Sequence, residues 1–240
     1  MTTKKDEAKR AVVGRDEWLA ARKALLAKEK AFTKERDALS AARRDLPMVK
    51  IEKAYAFHEP SGKRSLADLF DGMRQLVVYH FMLDPSWEAG CKSCSLLADH
   101  FEPAVVHLRA RDTAFVAISR APVSRIEPFK KRMGWTFRWL SSFEDDFNYD
   151  FGVSFGPDEA AAKRALYNYD KPGSVGEAPG LSAFLRDGDD VFHTYSTYGR
   201  GLDVLINAYN ILDMTALGRH EEGLPYGMAW VRHHDRYEAP

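Results

Sequence analysis

Cysteine is almost absent from this chain. Only two occur in 240 residues, and both lie in Cys91-Lys92-Ser93-Cys94. So few thiols exclude a secreted scaffold stapled by disulfides. Long apolar runs are missing as well. The most continuous one, residues 76–83, is far short of the roughly 20 residues of a membrane-spanning helix. The opening residues, Met1-Thr2-Thr3-Lys4-Lys5-Asp6-Glu7, carry charge and lack the apolar stretch of a secretory signal. Nor is there an excess of either charge: 35 Lys and Arg face 35 Asp and Glu. A balanced chain lacks the simplest attraction to nucleic acid or to an acidic membrane surface. These absences predict a cytoplasmic protein whose partners are neither nucleic acid nor membrane. In a reducing cytosol, a close pair of cysteines points to catalysis or metal binding.

What is present is a folding composition, 45% apolar and 29% charged. Three parts are expected: an N-terminal helical extension over 1–48, a domain over 49–215, and a tail over 216–240 packed on the surface. Residues 15–46 read as one helix with Asp16 as its N-cap and Pro47 as its stop. Trp18, Leu25, Phe32, Leu39 and Leu46 recur every seven residues, with Ala24, Ala31 and Ala38 beside them. At 1.5 Å per residue this helix spans roughly 45 Å. Such a stripe needs a cover. The core of the same subunit is the favoured cover, and a dimer arm embracing a second subunit is the alternative. Ala21, Lys28 and Glu35 occupy the alternate seam positions, which argues against a regular coiled coil.

Beyond residue 50 the periods change. Strands are expected at 51–57, 75–83, 113–119 and 137–140. Helices are expected at 95–109, at 126–133 ending on Gly134, and at 202–213. Asp187-Gly188-Asp189-Asp190 marks a hairpin between 182–186 and 191–196. Alternating strands and helices followed by a hairpin and a helix predict an α/β fold with a mixed sheet.

The two cysteines follow a strand and a turn and open a helix. Unpaired N–H groups at a helix start favour a thiolate, and Lys92 adds a positive charge. Cys91 is therefore the expected nucleophile, and Cys94, one turn on, the resolving thiol. Ligand sites in such sheets lie beyond the carboxyl ends of parallel strands. That geometry nominates Trp87, Lys92, Arg120, Tyr198 and Arg200 as substrate-binding residues. Arg120 and Arg200 would hold an anionic or glutathione-like substrate, and Trp87 and Tyr198 would cover the dithiol from water. A metal site would need His80 or His100 to join two thiolates, which does not complete a tetrahedral set. Neither a metal nor a cofactor is expected. His233-His234-Asp235 reads as a solvated surface run.

The segment Phe57-His58-Glu59-Pro60-Ser61-Gly62-Lys63-Arg64-Ser65-Leu66-Ala67-Asp68-Leu69-Phe70, with Thr113 to Ser119 and Phe184 to Asp189, resembles the peroxiredoxin branch of the thioredoxin superfamily. The chain from about Trp18 to Asp213 more closely resembles a bacterial thioredoxin-like family described only as a domain of unknown function. The matching stretches include Arg43-Arg44-Asp45-Leu46-Pro47, Tyr79-His80-Phe81-Met82, Gly90-Cys91-Lys92-Ser93-Cys94-Ser95, Lys131-Arg132-Met133-Gly134-Trp135 and Val191-Phe192-His193-Thr194-Tyr195-Ser196-Thr197. The resemblance implies a thioredoxin-like fold and assigns no reaction. Three departures stand out. Lys92-Ser93 replaces the usual Gly-Pro between the thiols. Leu181 occupies the place of the usual cis-proline, with Pro179 two residues early. Glu88 stands where a peroxiredoxin carries threonine. The expected function is a thiol–disulfide oxidoreductase acting on a protein or small-molecule disulfide. A non-catalytic binding or assembly module, with the long helix as its interaction arm, and a metal-handling protein are the alternatives.

Overall fold

The computed structural model describes residues 10–161 and 166–238. They form two units that divide after Leu46. The first is α1 (Arg15–Arg44), 30 residues of good helix formers uninterrupted by glycine or proline. Gly14, not Asp16, takes the N-cap position. Asp16 sits in the first turn with Glu17, while Arg43 and Arg44 occupy the last, and both placements suit the helix macrodipole. The Asp45 N–H closes the final turn on the Ala41 and Ala42 carbonyls. Pro47, with no N–H to offer, prevents continuation. No residue of α1 is buried.

The second unit begins with β1 (Val49–Lys50), the hairpin of β2 (Ala56–Glu59) and β3 (Gly62–Ser65), and β4 (Gln75–His80). Then come α2 (Lys92–Phe101), α3 (Val105–Arg109), β5 (Thr113–Ser119), α4 (Val123–Met133) and β6 (Arg138–Ser141). A run of short elements follows: α5 (Phe147–Asp150), β7 (Ser154–Phe155), α6 (Pro157–Ala161), β8 (Leu166–Tyr167), β9 (Lys171–Pro172) and β10 (Gly176–Glu177). The chain ends its regular structure with β11 (Gly180–Asp187), β12 (Asp190–Tyr198) and α7 (Asn207–Leu212).

One eight-stranded sheet organises this unit, in the order β1-β12-β11-β4-β5-β6-β2-β3. β4, β5 and β6 are parallel, whereas β11 runs antiparallel to β4 with Leu181 opposite Tyr79. β4 alternates its side chains between two cores, as a strand must. Tyr79 joins Phe115, Trp139, Leu97, Phe129 and Cys94 on the face covered by α2, α4 and α7. Leu76 and Val78 join Phe57, Leu69, Leu140, Phe147 and Phe184 on the other. With both faces covered, the strand reads as an unbroken apolar run. Each large side chain fully buried here contributes about 1.5–3 kcal/mol. A βαβ unit (β4-α2-β5) beside an antiparallel hairpin and helix (β11-β12-α7), in the order β12-β11-β4-β5, is the thioredoxin-like arrangement. β6, β2 and β3 widen it on one edge and β1 on the other. Among the described residues no helix is long and apolar enough to cross a membrane.

Several boundaries differ from the sequence expectation for identifiable reasons. The helix expected over 95–109 breaks at Pro103, giving α2, a 3₁₀ turn at Glu102–Ala104, and α3. α4 begins earlier, at Val123, with Pro122 as its N-cap, and ends on Gly134, whose φ of 68° suits a residue without a Cβ. The stretch 51–55 pairs only through Ile51 N–H to Val191 O, so the first long strand shortens to β2.

The tail is pinned rather than loosely laid. Glu221 Oε1 accepts from Tyr209 Oη (2.8 Å), Met228 N–H (2.9 Å) and Trp230 Nε1 (2.6 Å). Val231 and His233 are buried, which corrects the expectation of a solvated run at His233. Arg132 on α4 grips Asp235 through two hydrogen bonds, and His234 meets Asp99 on α2.

Candidate active site

The chain leaves β4 through Phe81, whose N–H donates to Ile118 O. It loops over residues 84–90 and returns to the same strand end, where Cys91 N–H donates to Met82 O at 3.1 Å. This return puts Cys91 at the N-cap of α2. Its carbonyl accepts from both the N–H and the hydroxyl of Ser95. Gly90 makes the approach possible: a Cβ there would lie 2.5 Å from the Phe81 ring and 2.7 Å from Phe129. Two rings therefore close the position to any side chain, including the tryptophan that thioredoxins place before the first thiol.

Cys91 and Cys94 are free thiols 3.9 Å apart, the first half-buried and the second buried. Their surroundings push them in opposite directions. A hydrogen bond from Cys94 pulls the Cys91 thiol down to about 6, aided by N–H groups of Cys94 and Ser93 and opposed by burial. Burial pushes Cys94 well up, and the negative charge developing on Cys91 adds to the effect. At neutral pH the downward shift favours the thiolate at Cys91. The first turn of α2 thus holds a nucleophile beside a protonated reserve.

Beneath Cys94 lies Tyr79, fully buried against Phe81 and Phe101. Its hydroxyl is buried without a hydrogen-bond partner; burial raises it well above its ordinary value, and the neighbouring Cys94 thiol adds to the effect. Burial raises the hydroxyl of Tyr167, on β8, which donates to Pro179 O (2.8 Å) and accepts from Gly199 N–H (2.7 Å). From the tail, His233 Nε2 donates to the Gly90 carbonyl (2.8 Å), while its Nδ1 accepts from Arg132 Nη2 (3.0 Å). A depression of about 240 Å³ opens beside this loop, lined by Glu88, Ser124, Arg125, Pro128, Phe129 and Arg132.

The residues nominated from sequence are distributed unevenly. Trp87 is half-buried and packs with Cys91 against the same core. Lys92 is exposed at the helix start. Arg120, at the end of β5, already faces the Asp84 carboxylate (3.8 Å), the buried Glu177 carboxylate (3.4 Å) and the Tyr149 hydroxyl. An anion would have to compete with both carboxylates for it. Burial raises the Glu177 carboxyl, which also accepts from Ser154. Tyr198 is buried with its hydroxyl on Phe151 O, and its ring lies against Gly180 and Tyr167. Arg200 is 89% exposed and paired with Asp203.

The histidines of the metal alternative are engaged elsewhere. His80 stacks on Phe147 and Phe151, on the sheet face opposite Tyr79 and Cys94, and bonds Ser182 Oγ at 2.8 Å. His100 donates to Leu96 O and accepts from Ala208 N–H. Among the described residues no group of three His, Cys, Asp or Glu is arranged to hold a metal ion.

Sequence reasoning missed Tyr79, Tyr167, His233 and the demand at Gly90. Strand alternation places Tyr79 on the α2 side of β4 and was the one available signal. Nothing local marks His233, which meets Gly90 across 143 positions of chain.

Three solved structures give a measure of likeness. PrxQ of Xylella fastidiosa matches with a TM-score of 0.44 and 13% identity, over 69% of this chain and 94% of its own. Peroxidoxin BcpB of Mycobacterium tuberculosis matches with a TM-score of 0.44 and 16% identity, over 70% and 97%. AhpC of Enterococcus faecalis gives 0.43 and 10% identity, over 70% and 92%. Among curated proteins none matches in sequence. A family model covers nearly all of the chain, residues 7–237: the protein belongs to the bacterial proteins of unknown function grouped as DUF899.

Proposed function

We propose that the chain is a cytoplasmic thiol–disulfide oxidoreductase in which Cys91 attacks and Cys94 resolves. The observation that carries this reading is a pair of free thiols 3.9 Å apart, Cys91 half-buried at the N-cap of α2 and Cys94 buried one turn on. The Cys91 thiolate attacks one sulfur of a substrate disulfide. A Cys91–substrate bond forms, the substrate S–S bond breaks, and one substrate thiolate leaves. Cys91 then no longer accepts the Cys94 proton. Cys94 loses that proton to solvent or to the departing thiolate and attacks the Cys91 sulfur. The second substrate thiolate leaves, and the two electrons gained by the substrate equal those lost in forming the Cys91–Cys94 bond. A second dithiol or a low-molecular-weight thiol restores the reduced pair. Tyr79 donates to Cys94 as that sulfur gains charge. The depression along Phe129, Arg125 and Glu88 suits the flank of a disulfide carrying both charges.

Alkylation of Cys91 followed against pH tests the reading, with an expected midpoint near 6. Mild oxidation should remove two hydrogens from the protein by forming the internal disulfide. Cys91→Ser should abolish reduction of a small disulfide, and Cys94→Ser should trap the mixed disulfide at Cys91. A midpoint at or above that of free cysteine, together with no internal disulfide, sinks it.

A further inference from the structure

Helix α1 carries a surface that the dithiol chemistry leaves unused. Trp18, Leu25, Phe32 and Leu39 are between 46% and 68% exposed, and Leu19 and Leu26 flank them at 37% and 38%. Helices in water draw most of their stability from burying such a face, so the stripe needs an occupant. We propose that the occupant is the same helix of a second copy of this chain, laid antiparallel across it.

The charge pattern selects that partner. Asp16 and Glu17 outnumber Arg15 in the first turn, and Arg43 and Arg44 lie in the last. An antiparallel pair sets each acidic turn beside the partner's basic turn, twice by twofold symmetry, and opposes the two macrodipoles. A parallel pair would set like against like at both ends. The seven-residue spacing of Trp18, Leu25, Phe32 and Leu39 keeps the large side chains in one row, a single-row contact rather than a regular coiled coil because Lys28 and Glu35 fill the alternate seam positions. Ala24, Ala31 and Ala38 beside them leave room for the axes to reach the short end of the 8–10 Å range. Burial of a strip roughly 10 Å wide along about 45 Å covers on the order of 450 Å² per chain, or 900 Å² in total. That lies below the size of a permanent interface, so a reversible dimer is expected.

Sedimentation equilibrium of the full chain, from roughly one to a few hundred micromolar, tests this. The mass should climb from 27.2 kDa toward twice that value. Phe32→Glu, at the centre of the stripe and 68% exposed, leaves the fold intact and should hold the protein monomeric throughout. Glu17→Lys should weaken association about tenfold, and adding Arg44→Glu to the same chain should restore it. A constant 27.2 kDa mass overturns the proposal. So does a dimer that survives Phe32→Glu. A dimer unaffected by Glu17→Lys overturns the antiparallel arrangement.

Discussion

Cys91 and Cys94 are the same group in two electrostatic settings three residues apart. Cys91 meets donors from the first helical turn, while Cys94 meets rings and one phenol. The phenol matters because the Tyr79 hydroxyl has no nitrogen or oxygen partner. Such a group is costly to bury and stays only where something uses it. The Cys94 sulfur beside it is the acceptor that the reduced protein offers as that sulfur gains charge, and a weaker one in the disulfide. Tyr79→Phe keeps the ring and removes the donor, so it should make the couple about 20 mV more reducing, equivalent to about 1 kcal/mol. The thermal midpoint should change little. Equilibration with a glutathione buffer reads the potential, and an unshifted value would remove Tyr79 from the chemistry. Tyr79 was legible as a core residue from strand alternation. Its partner was not, because that depends on which residue of α2 lands above it.

The elements around the dithiol are held by contacts distant in sequence. Asp235 ties the tail to Arg132 on α4, and His233 closes over Gly90. His233→Ala would leave a buried carbonyl without its donor and should lower stability by about 1–2 kcal/mol. Cys91 should then alkylate several-fold faster, because the loop before it loses its clamp. Urea melts and alkylation rates measured side by side check both effects; a stability loss with no change in thiol reactivity would make the tail a brace alone. The central strands and the end of α4 at Gly134 were readable from their own residues, whereas the helices expected over 95–109 and 202–213 are each interrupted by a 3₁₀ segment. The tail was opaque for a physical reason: its histidines, arginine and aspartate look like any hydrated segment until α4 and the dithiol loop supply their partners.

Over the whole molecule, His80 and Glu59 are two of the groups that shape the response to acid. His80 lies in the core beside Phe147 and Phe151, and burial holds its imidazole down to about 3. Below its ordinary value of 6.5 the unfolded chain takes up a proton that the folded one refuses, so stability falls as pH drops from 6.5 toward 3. The slope approaches about 1.4 kcal/mol per pH unit. Glu59 acts lower. Arg138, then Ser61 and Arg64, pull its carboxyl to about 2, fastening the β2–β3 hairpin to β6. Its contribution is full above 4.5 and is lost between 4.5 and 2. Glu59→Gln should cost about 2 kcal/mol at neutral pH and almost nothing near pH 2. Urea melts of both proteins across that range read the difference, and a constant gap at all pH values would refute the assignment.

The elements and the reactive pair are written in the chain itself. Periods of two and of seven, a proline stop, a glycine cap and a Cys-x-x-Cys at a strand–helix junction are local facts with local physical causes. Folding in three dimensions settled the rest. It raised one thiol and lowered the other, turned His80 to the far side of the sheet, enclosed Arg120 between two carboxylates and drew His233 onto Gly90. Each of those outcomes depends on burial and on charges brought together from far along the chain. Apolar periods tell which face of an element is buried, but the partners brought to it from far along the chain have no period for a sequence to display.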